Sequence, residues 1–261
     1  MATKFKAYLI QCITNLHVGS GDANYGIIDK MVQRDPVTNY PTIHSSSLKG
    51  GLRQHFEGIW GKNSDKVNAV FGKEDTNDND SGSHVFLNAD LMALPVRCTQ
   101  KQFALSFDKK LVDFVNTKAK NILNENKIFK LVPVENKDYL HGTGSGECYA
   151  EDYRLEFNNY TNPFSFEQDI ISNQFATFQT PHFEQLVNNL PVVARNKVGD
   201  DKNLWYEEFV PHKTIFISFI GADRDNEDFD KVLTEGLIQI GGNASIGHGL
   251  CKFHHINIQD L

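Results

Sequence analysis

The chain has 261 residues, of which 40% are hydrophobic and 19 are Phe, and a formal net charge of −7. That apolar content excludes a disordered chain, and the length allows one large or two small domains. The acidic balance excludes nucleic-acid binding by the whole surface, so any RNA site has to be a local basic face.

Cys12, Cys98, Cys148 and Cys251 are widely spaced and form no C-x-x-C pair, which argues against a zinc ribbon or a thioredoxin motif and reads as reduced thiols of a cytosolic protein. The opening MATKFKAYLIQCI has too short an apolar run for a signal peptide, and no run reaches the ~18 residues of a membrane span.

In chain order, residues 4–14 read as a first, central strand. The stretch HVGSGDANYG is glycine-rich and reads as a loop, followed by Ile27, Ile28, Asp29 and Lys30. DPVTN carries turn chemistry between residues 31–34 and 40–43, predicting a short hairpin. Ser45, Ser46 and Ser47 precede Leu48, Leu52, Phe56 and Ile59, the spacing of one helix face with a serine N-cap over about 46–60. Residues 64–71 predict a second helix capped by Ser64, and KEDTNDND a solvated loop.

Residues 84–96 read as a strand pair or one bent strand ended by Pro95. Residues 108–125 are the clearest amphipathic helix, with Leu111, Phe114, Val115, Ala119 and Leu123 on one face. HGTGSGE lacks the G-K-[ST] ending of a P-loop and reads as a connection. Residues 153–160 predict an outer strand, and 166–175 and 181–190 predict helices, the second with an early Pro. PVVARN and LWYEEFVP flank Gly199-Asp200-Asp201, a hairpin over 191–211. Residues 213–222 read as a buried strand and 227–237 as a helix; a strand, a Gly-rich loop and a last strand complete the chain.

Two segments carry candidate chemistry. In the first, Lys49 and Arg53 lie four apart at a helix start, and the free N–H groups, hydroxyls of Ser46 and Ser47 and the two cations suit a phosphate; the same pattern also describes a capped surface helix with solvated charges. Lys30 and Arg34 extend this basic stretch against one acid, Asp35. Asp29, at the end of a flexible loop, is ionised at neutral pH and suits holding a cation or orienting a nucleophile better than general base work; an ordinary turn aspartate fits the same position. In the second, Gly241, Gly242, Gly247 and Gly249 lack the βαβ context of a dinucleotide fingerprint and suit close approach to a phosphodiester, with Asn243, Ser245 and His248 as hydrogen-bonding side chains, or bulges in a terminal hairpin.

The order HVGSG…GIID…QR…P-x-I-x-x-SSLKG-x-LR, then LPVRC, LPVVARN, LWYEEFVP and IGGN-x-x-x-G-x-G, resembles the RAMP superfamily of CRISPR proteins. Within that superfamily it is similar to the repeated backbone (fourth) subunits of type III-B, or Cmr, effector complexes. Residues 100–185 contribute nothing to the likeness.

The resemblance implies an α+β fold: one RAMP domain over 1–261 with an RRM-like (ferredoxin-like) βαββαβ core, insertions at about 97–190, a projecting β-hairpin thumb at about 191–211 with Val198 near its tip, and a Gly-rich loop at 240–249. It implies a cytoplasmic endoribonuclease that binds guide RNA, stacks with further copies of itself and other Cmr-type subunits, and cleaves paired target RNA by transesterification. A divalent cation, Mg or Mn, is implied at Asp29, with His17 and Glu207 as further catalytic candidates and Lys30, Arg34, Ser46, Ser47, Lys49, Arg53, Arg195, Gly241, Gly242, Asn243, Gly247, His248 and Gly249 on RNA. Two alternatives stay open: a non-catalytic guide-RNA scaffold, and a stand-alone RAMP endoribonuclease that processes guide precursors.

Overall fold

A computed structural model of the chain describes residues 3–21, 26–73, 81–124, 137–158, 174–196 and 203–256. The hairpin tip around Val198, the acidic loop over 74–80 and most of the helix read at 166–175 lie outside these residues.

The elements are β1 (Lys4–Cys12), β2 (Thr42–Ile43), α1 (Ser45–Trp60), α2 (Asp65–Phe71), β3 (His84–Phe86), β4 (Ala89–Arg97), β5 (Phe103–Asp108), α3 (Lys109–Leu123), β6 (Tyr139–His141), β7 (Cys148–Ala150), β8 (Tyr153–Asn158), β9 (Phe175–Phe178), α4 (Thr180–Asn188), β10 (Val192–Asn196), β11 (Leu204–Glu208), β12 (Ile215–Ala222), α5 (Glu227–Glu235), β13 (Leu237–Gln239) and β14 (Leu250–Ile256).

The strands form one 12-stranded sheet, ordered β13-β14-β1-β12-β4-β5-β9-β6-β8-β7 with β2 and β3 beside it, and a separate two-stranded ribbon of β10 and β11. The centre follows from composition. Ala7–Ile10 and Ile215–Gly221 are continuous buried runs, as strands covered on both faces must be. β1 lies antiparallel between β12 and β14. The path β1–α1–β4–β12–α5–β14, with spatial order β14-β1-β12-β4, is a βαββαβ arrangement.

Phenylalanines fasten the helices of that unit. Phe56 of α1 stacks on Phe229 of α5 at 4.9 Å between centroids, and Phe71 of α2 stacks on Phe86 of β3 at 5.3 Å. Offset rings of this kind add to what area burial contributes.

Several elements differ from the expectation. α1 begins at Ser45 with His44 as N-cap, and no serine side chain caps it. Asn88 Oδ1 accepts from Ser45 N at 2.8 Å instead, so a residue 43 positions away satisfies the exposed donor. β4 continues past Pro95 to Arg97. The last β12 partner in that register is Ala93, so Pro95, which has no N–H, lies where β4 is paired with β5 alone. In α3 the buried face uses Val112, whereas Phe114 is exposed. β8 is flanked by β6 and β7 and is not the outermost strand. β9 starts at Phe175, the last residue of the stretch read as helix, and its four residues fill a fully buried position between β5 and β6.

The four cysteines, distant in sequence, meet in two pairs. Cys12 and Cys251 are register partners on β1 and β14, and the Cys98 and Cys148 sulfurs stand 3.6 Å apart. All four are free thiols.

Candidate RNA-cleaving site at the base of the hairpin

Residues 16–21 and 26–34, strand β11 and the turn after β13 converge beyond the ends of the central strands β1, β12 and β14. Leu16 and Val210 exchange both backbone hydrogen bonds, each at 2.8 Å, and lock the start of the Gly-rich loop to the end of the ribbon. The loop then doubles back: Gln33 N donates to Val18 O at 2.8 Å and Ser20 N to Met31 O at 3.0 Å. On its return it runs parallel to β11. Asp29 N and Lys30 N both reach Tyr206 O at 3.1 Å, and Glu208 N donates to Lys30 O at 2.9 Å. The segment carrying Asp29 is thus tied to the ribbon by a single parallel bridge, Lys30 with Glu207.

Asp29 is exposed beside this bridge, and its Oδ2 accepts from Tyr206 N at 2.7 Å. One backbone bond aims the carboxylate and leaves its other oxygen available. Lys30 is also exposed, and its Nζ stands 4.7 Å from the centroid of the Trp205 ring.

Deeper in, carboxylates are enclosed. Glu208 is 2% exposed: Arg34 donates to Oε1 at 2.6 Å and Val32 N to Oε2 at 3.0 Å. Glu207 is 1% exposed and accepts from Arg195 Nε at 3.1 Å and from Asn243 Nδ2. Expected as a further catalytic candidate, Glu207 is enclosed here, and its carboxylate joins the ribbon to the Gly-rich turn.

His17 is likewise buried, with Nδ1 2.7 Å from Glu208 O. A carbonyl only accepts, so Nδ1 carries the proton and Nε2 is the nitrogen with a lone pair when the ring is neutral. His17 O accepts from Gly242 N at 2.8 Å, which ties loop and turn together.

The glycines of the turn divide by what surrounds them. Gly241 has φ +77°, and a Cβ there would lie 2.4 Å from His17 O; at Gly249, with φ +82°, it would lie 2.1 Å from Ile240 O. These two are needed for close approach of this chain to itself. Gly247 faces open space, and Gly242 has nothing closer than 3.8 Å. Asn243 adopts the left-handed conformation that starts the short 3₁₀ turn Ala244–Ile246.

His248 Nε2 faces Arg195 at 3.2 Å. The guanidinium only donates, so the His248 proton sits on Nδ1, which is buried without a partner. Burial first, then the Arg195 charge, hold this imidazole below its usual pKa.

Of the predicted basic face, Ser46 is exposed and Lys49 half-buried near the start of α1. Ser47 Oγ accepts from Gln33 Nε2 at 2.9 Å. Arg34 also donates to Asn39 O and Val187 O, both at 2.9 Å. Arg53 donates to Glu57 at 3.1 Å and Gly72 O at 2.8 Å, clamping α1 to α2 away from the Gly-rich turn. Phosphate contacts by Arg34, Arg53 or Arg195 therefore share donors with internal bonds.

Sequence reasoning missed Gln33. Buried, it donates to Gly19 O at 3.2 Å and Ser47, and accepts from His44 N at 2.8 Å, joining the loop to the start of α1. An amide between Val32 and Arg34 carries no chemical signature of that role.

Among the described residues no three His, Cys, Asp or Glu side chains gather into a metal cage. A cation at Asp29 would take its remaining ligands from RNA oxygens and water, which suits a hard ion such as Mg²⁺.

The βαββαβ sheet, the added ribbon and the Gly-rich turn define a class of α+β protein, and the comparisons agree on it. The RAMP superfamily model matches residues 9–252, and the chain belongs to that superfamily. It is 24% identical over 292 residues to the CRISPR system Cmr endoribonuclease Cmr4 of Pyrococcus furiosus, covering 95% of each. It is 26% identical over 312 residues to the CRISPR system CMR subunit Cmr4 of Saccharolobus solfataricus, covering 98% of this chain and 97% of that one. In fold it matches a chain of the type III-B Cmr-beta complex bound to cognate target RNA, with TM-score 0.79, 23% identity and 98% of each chain covered. It also matches oligomeric Cmr4 from Pyrococcus furiosus, with TM-score 0.75, 20% identity and 99% and 100% covered.

Proposed function

We propose that this chain is the repeated backbone subunit of a type III-B CRISPR effector complex. It holds guide RNA, stacks with copies of itself and other Cmr-type subunits, and cleaves the complementary target RNA. The reading rests on superfamily membership, on full-length likeness to two Cmr4 relatives, and on one geometric observation: an exposed Asp29 aimed by Tyr206 N at the root of the hairpin.

In the proposed reaction the target 2′-oxygen attacks the adjacent phosphorus. The O2′–P bond forms, the P–O5′ bond breaks, the 2′-hydroxyl proton is lost and the leaving 5′-oxygen takes one up. The products are a 2′,3′-cyclic phosphate and a 5′-hydroxyl. Asp29 orients the attacking hydroxyl or holds a divalent cation, which when bound supplies charge neutralisation at the phosphate. Lys30, next along the chain, stabilises negative charge developing on the phosphate oxygens. His17, with its lone pair on Nε2, orders the loop through Nδ1 and the Gly242 bond.

Ser46, Lys49, Gly242 and Gly247 offer sequence-neutral contacts to an RNA backbone, which a carrier of any guide requires, while the buried Nδ1–H of His248 lies behind them. Glu207, Arg34, Arg53, Arg195, Ser47, Asn243, Gly241 and Gly249 shape that surface from behind. Among the described residues no helix is long and apolar enough to cross a membrane.

The test compares target cleavage and target binding in complexes reconstituted with wild-type or Asp29→Ala subunits, with and without Mg²⁺. Cleavage lost with binding kept supports the reading, and dependence of the wild-type rate on Mg²⁺ supports the cation. Full cleavage by Asp29→Ala moves the chemistry to another subunit and leaves this chain a scaffold.

A further inference from the structure

Trp205 has no part in the reaction as described, yet it lies directly beneath Lys30. It occupies β11 two residues before Glu207 and so shares its face, with Arg195 as its cross-strand partner on β10. Arg195 turns away from the ring, donating to Glu207 and standing against His248. The cation over the indole is instead Lys30, 4.7 Å from the ring centroid.

Two further observations show how firmly this pair is set. The Lys30 backbone is pinned to the same strand on both sides, through Tyr206 O at 3.1 Å and Glu208 N at 2.9 Å. The Trp205 indole N–H is buried and finds no acceptor among the described residues. A buried donor without a partner is a cost that a phenyl ring would avoid. The position therefore does not use the indole for hydrogen bonding; what the ring contributes is its face. Trp presents the strongest such face to an ammonium.

Lysine has a flexible four-carbon stem and many rotamers, so an ammonium with nothing to hold it would be spread over many positions. We infer that Trp205 is a positioning residue that holds the Lys30 ammonium against β11, one residue along the chain from Asp29, so that it is pre-set for the scissile phosphate of the target RNA. The inference rests on the cleavage reading of the site and extends it: strand β11 sets both groups, Asp29 through a backbone N–H and Lys30 through an aromatic face. The Lys30 side chain is then a pre-oriented charge rather than a mobile one, and catalysis gains from that orientation.

The experiment is single-turnover cleavage of target RNA by reconstituted complexes carrying Trp205→Leu, Trp205→Phe, Lys30→Met or the Trp205→Leu/Lys30→Met double substitution, with target affinity measured in parallel. Trp205→Leu is expected to slow cleavage about two- to fivefold, the range a cation–π contact at an exposed site supports. Target affinity is expected to stay at the wild-type value. Trp205→Phe keeps a π face and is expected to restore most of the rate. The double substitution is expected to cleave no more slowly than Lys30→Met alone, because the ring acts only through the ammonium.

An additive double substitution, or equal slowing by Phe and Leu, overturns the inference. So does wild-type cleavage by Lys30→Met where Asp29→Ala is inactive, and that result leaves the cleavage reading standing. Full activity of Asp29→Ala removes the cleavage reading itself, and this inference with it.

Discussion

Asp29 stands against strand β11 and Glu208 ends it, but the two carboxylates answer to opposite demands. Asp29 is exposed and takes one backbone hydrogen bond, from Tyr206 N. Glu208 is 2% exposed and its two oxygens are taken by Arg34 and Val32 N. A carboxylate removed from water has to be paired in full, whereas one left at the surface keeps lone pairs for a ligand. The outer edge of the ribbon is therefore suited to chemistry, and the inner side to holding that edge in place. Glu207, Arg195, Asn243 and His17 belong with the inner side on the same grounds.

Substitutions should separate the two sides. The largest effect is expected at the outer edge. Asp29→Ala should slow target cleavage on the order of a thousandfold, about 4 kcal/mol in barrier. The same change should cost only about 0.5–1.5 kcal/mol in urea unfolding, the worth of one hydrogen bond. At Glu208 the pattern should invert: Glu208→Ala strands the enclosed Arg34 guanidinium and is expected to cost about 3–5 kcal/mol of stability. A Glu208→Ala chain of wild-type stability that no longer cleaves would falsify the division.

The same rule about buried groups gives a pH dependence. Burial lowers the His141 imidazole from 6.5 to about 4, so the folded chain binds fewer protons there than the unfolded chain. Its contribution is fully present above about pH 6.5 and is lost as pH falls toward about 4, at most about 3 kcal/mol. Urea midpoints at pH 7 and pH 5 should differ less for His141→Gln than for the wild-type chain.

A smaller effect tests the comparison within the Gly-rich turn itself. Gly241→Ala and Gly247→Ala both place a side chain at positive φ, near +77° and +79°, for about 1–2 kcal/mol each. Only Gly241→Ala also drives a Cβ into His17 O, and this overpacking should add about 1 kcal/mol or more. Thermal unfolding should rank Gly241→Ala below Gly247→Ala, while guide-RNA affinity should fall more in Gly247→Ala than its small stability change explains. Equal stability of the two variants would show that the turn yields where the geometry says it cannot.

What the residue order by itself determined was whatever depends on neighbours along the chain. Continuous apolar runs marked β1 and β12, helical spacing marked α1 and α3, Ser64 marked the cap of α2, and turn chemistry marked the ribbon of β10 and β11. The candidate segments around Asp29 and Gly241 were visible for the same reason, since glycine and aspartate at a turn leave a local signature. Only the tertiary structure decided which of those residues are free. Asn88 caps α1 from 43 positions away, Gln33 joins a loop to a helix, and Trp205 lies under Lys30 across 175 positions. It also decided that Arg34, Arg53 and Glu207 are engaged inside the chain, and that strand β9 begins at Phe175. Burial and hydrogen-bond partners are properties of what folds against a residue, and no spacing along the chain carries them.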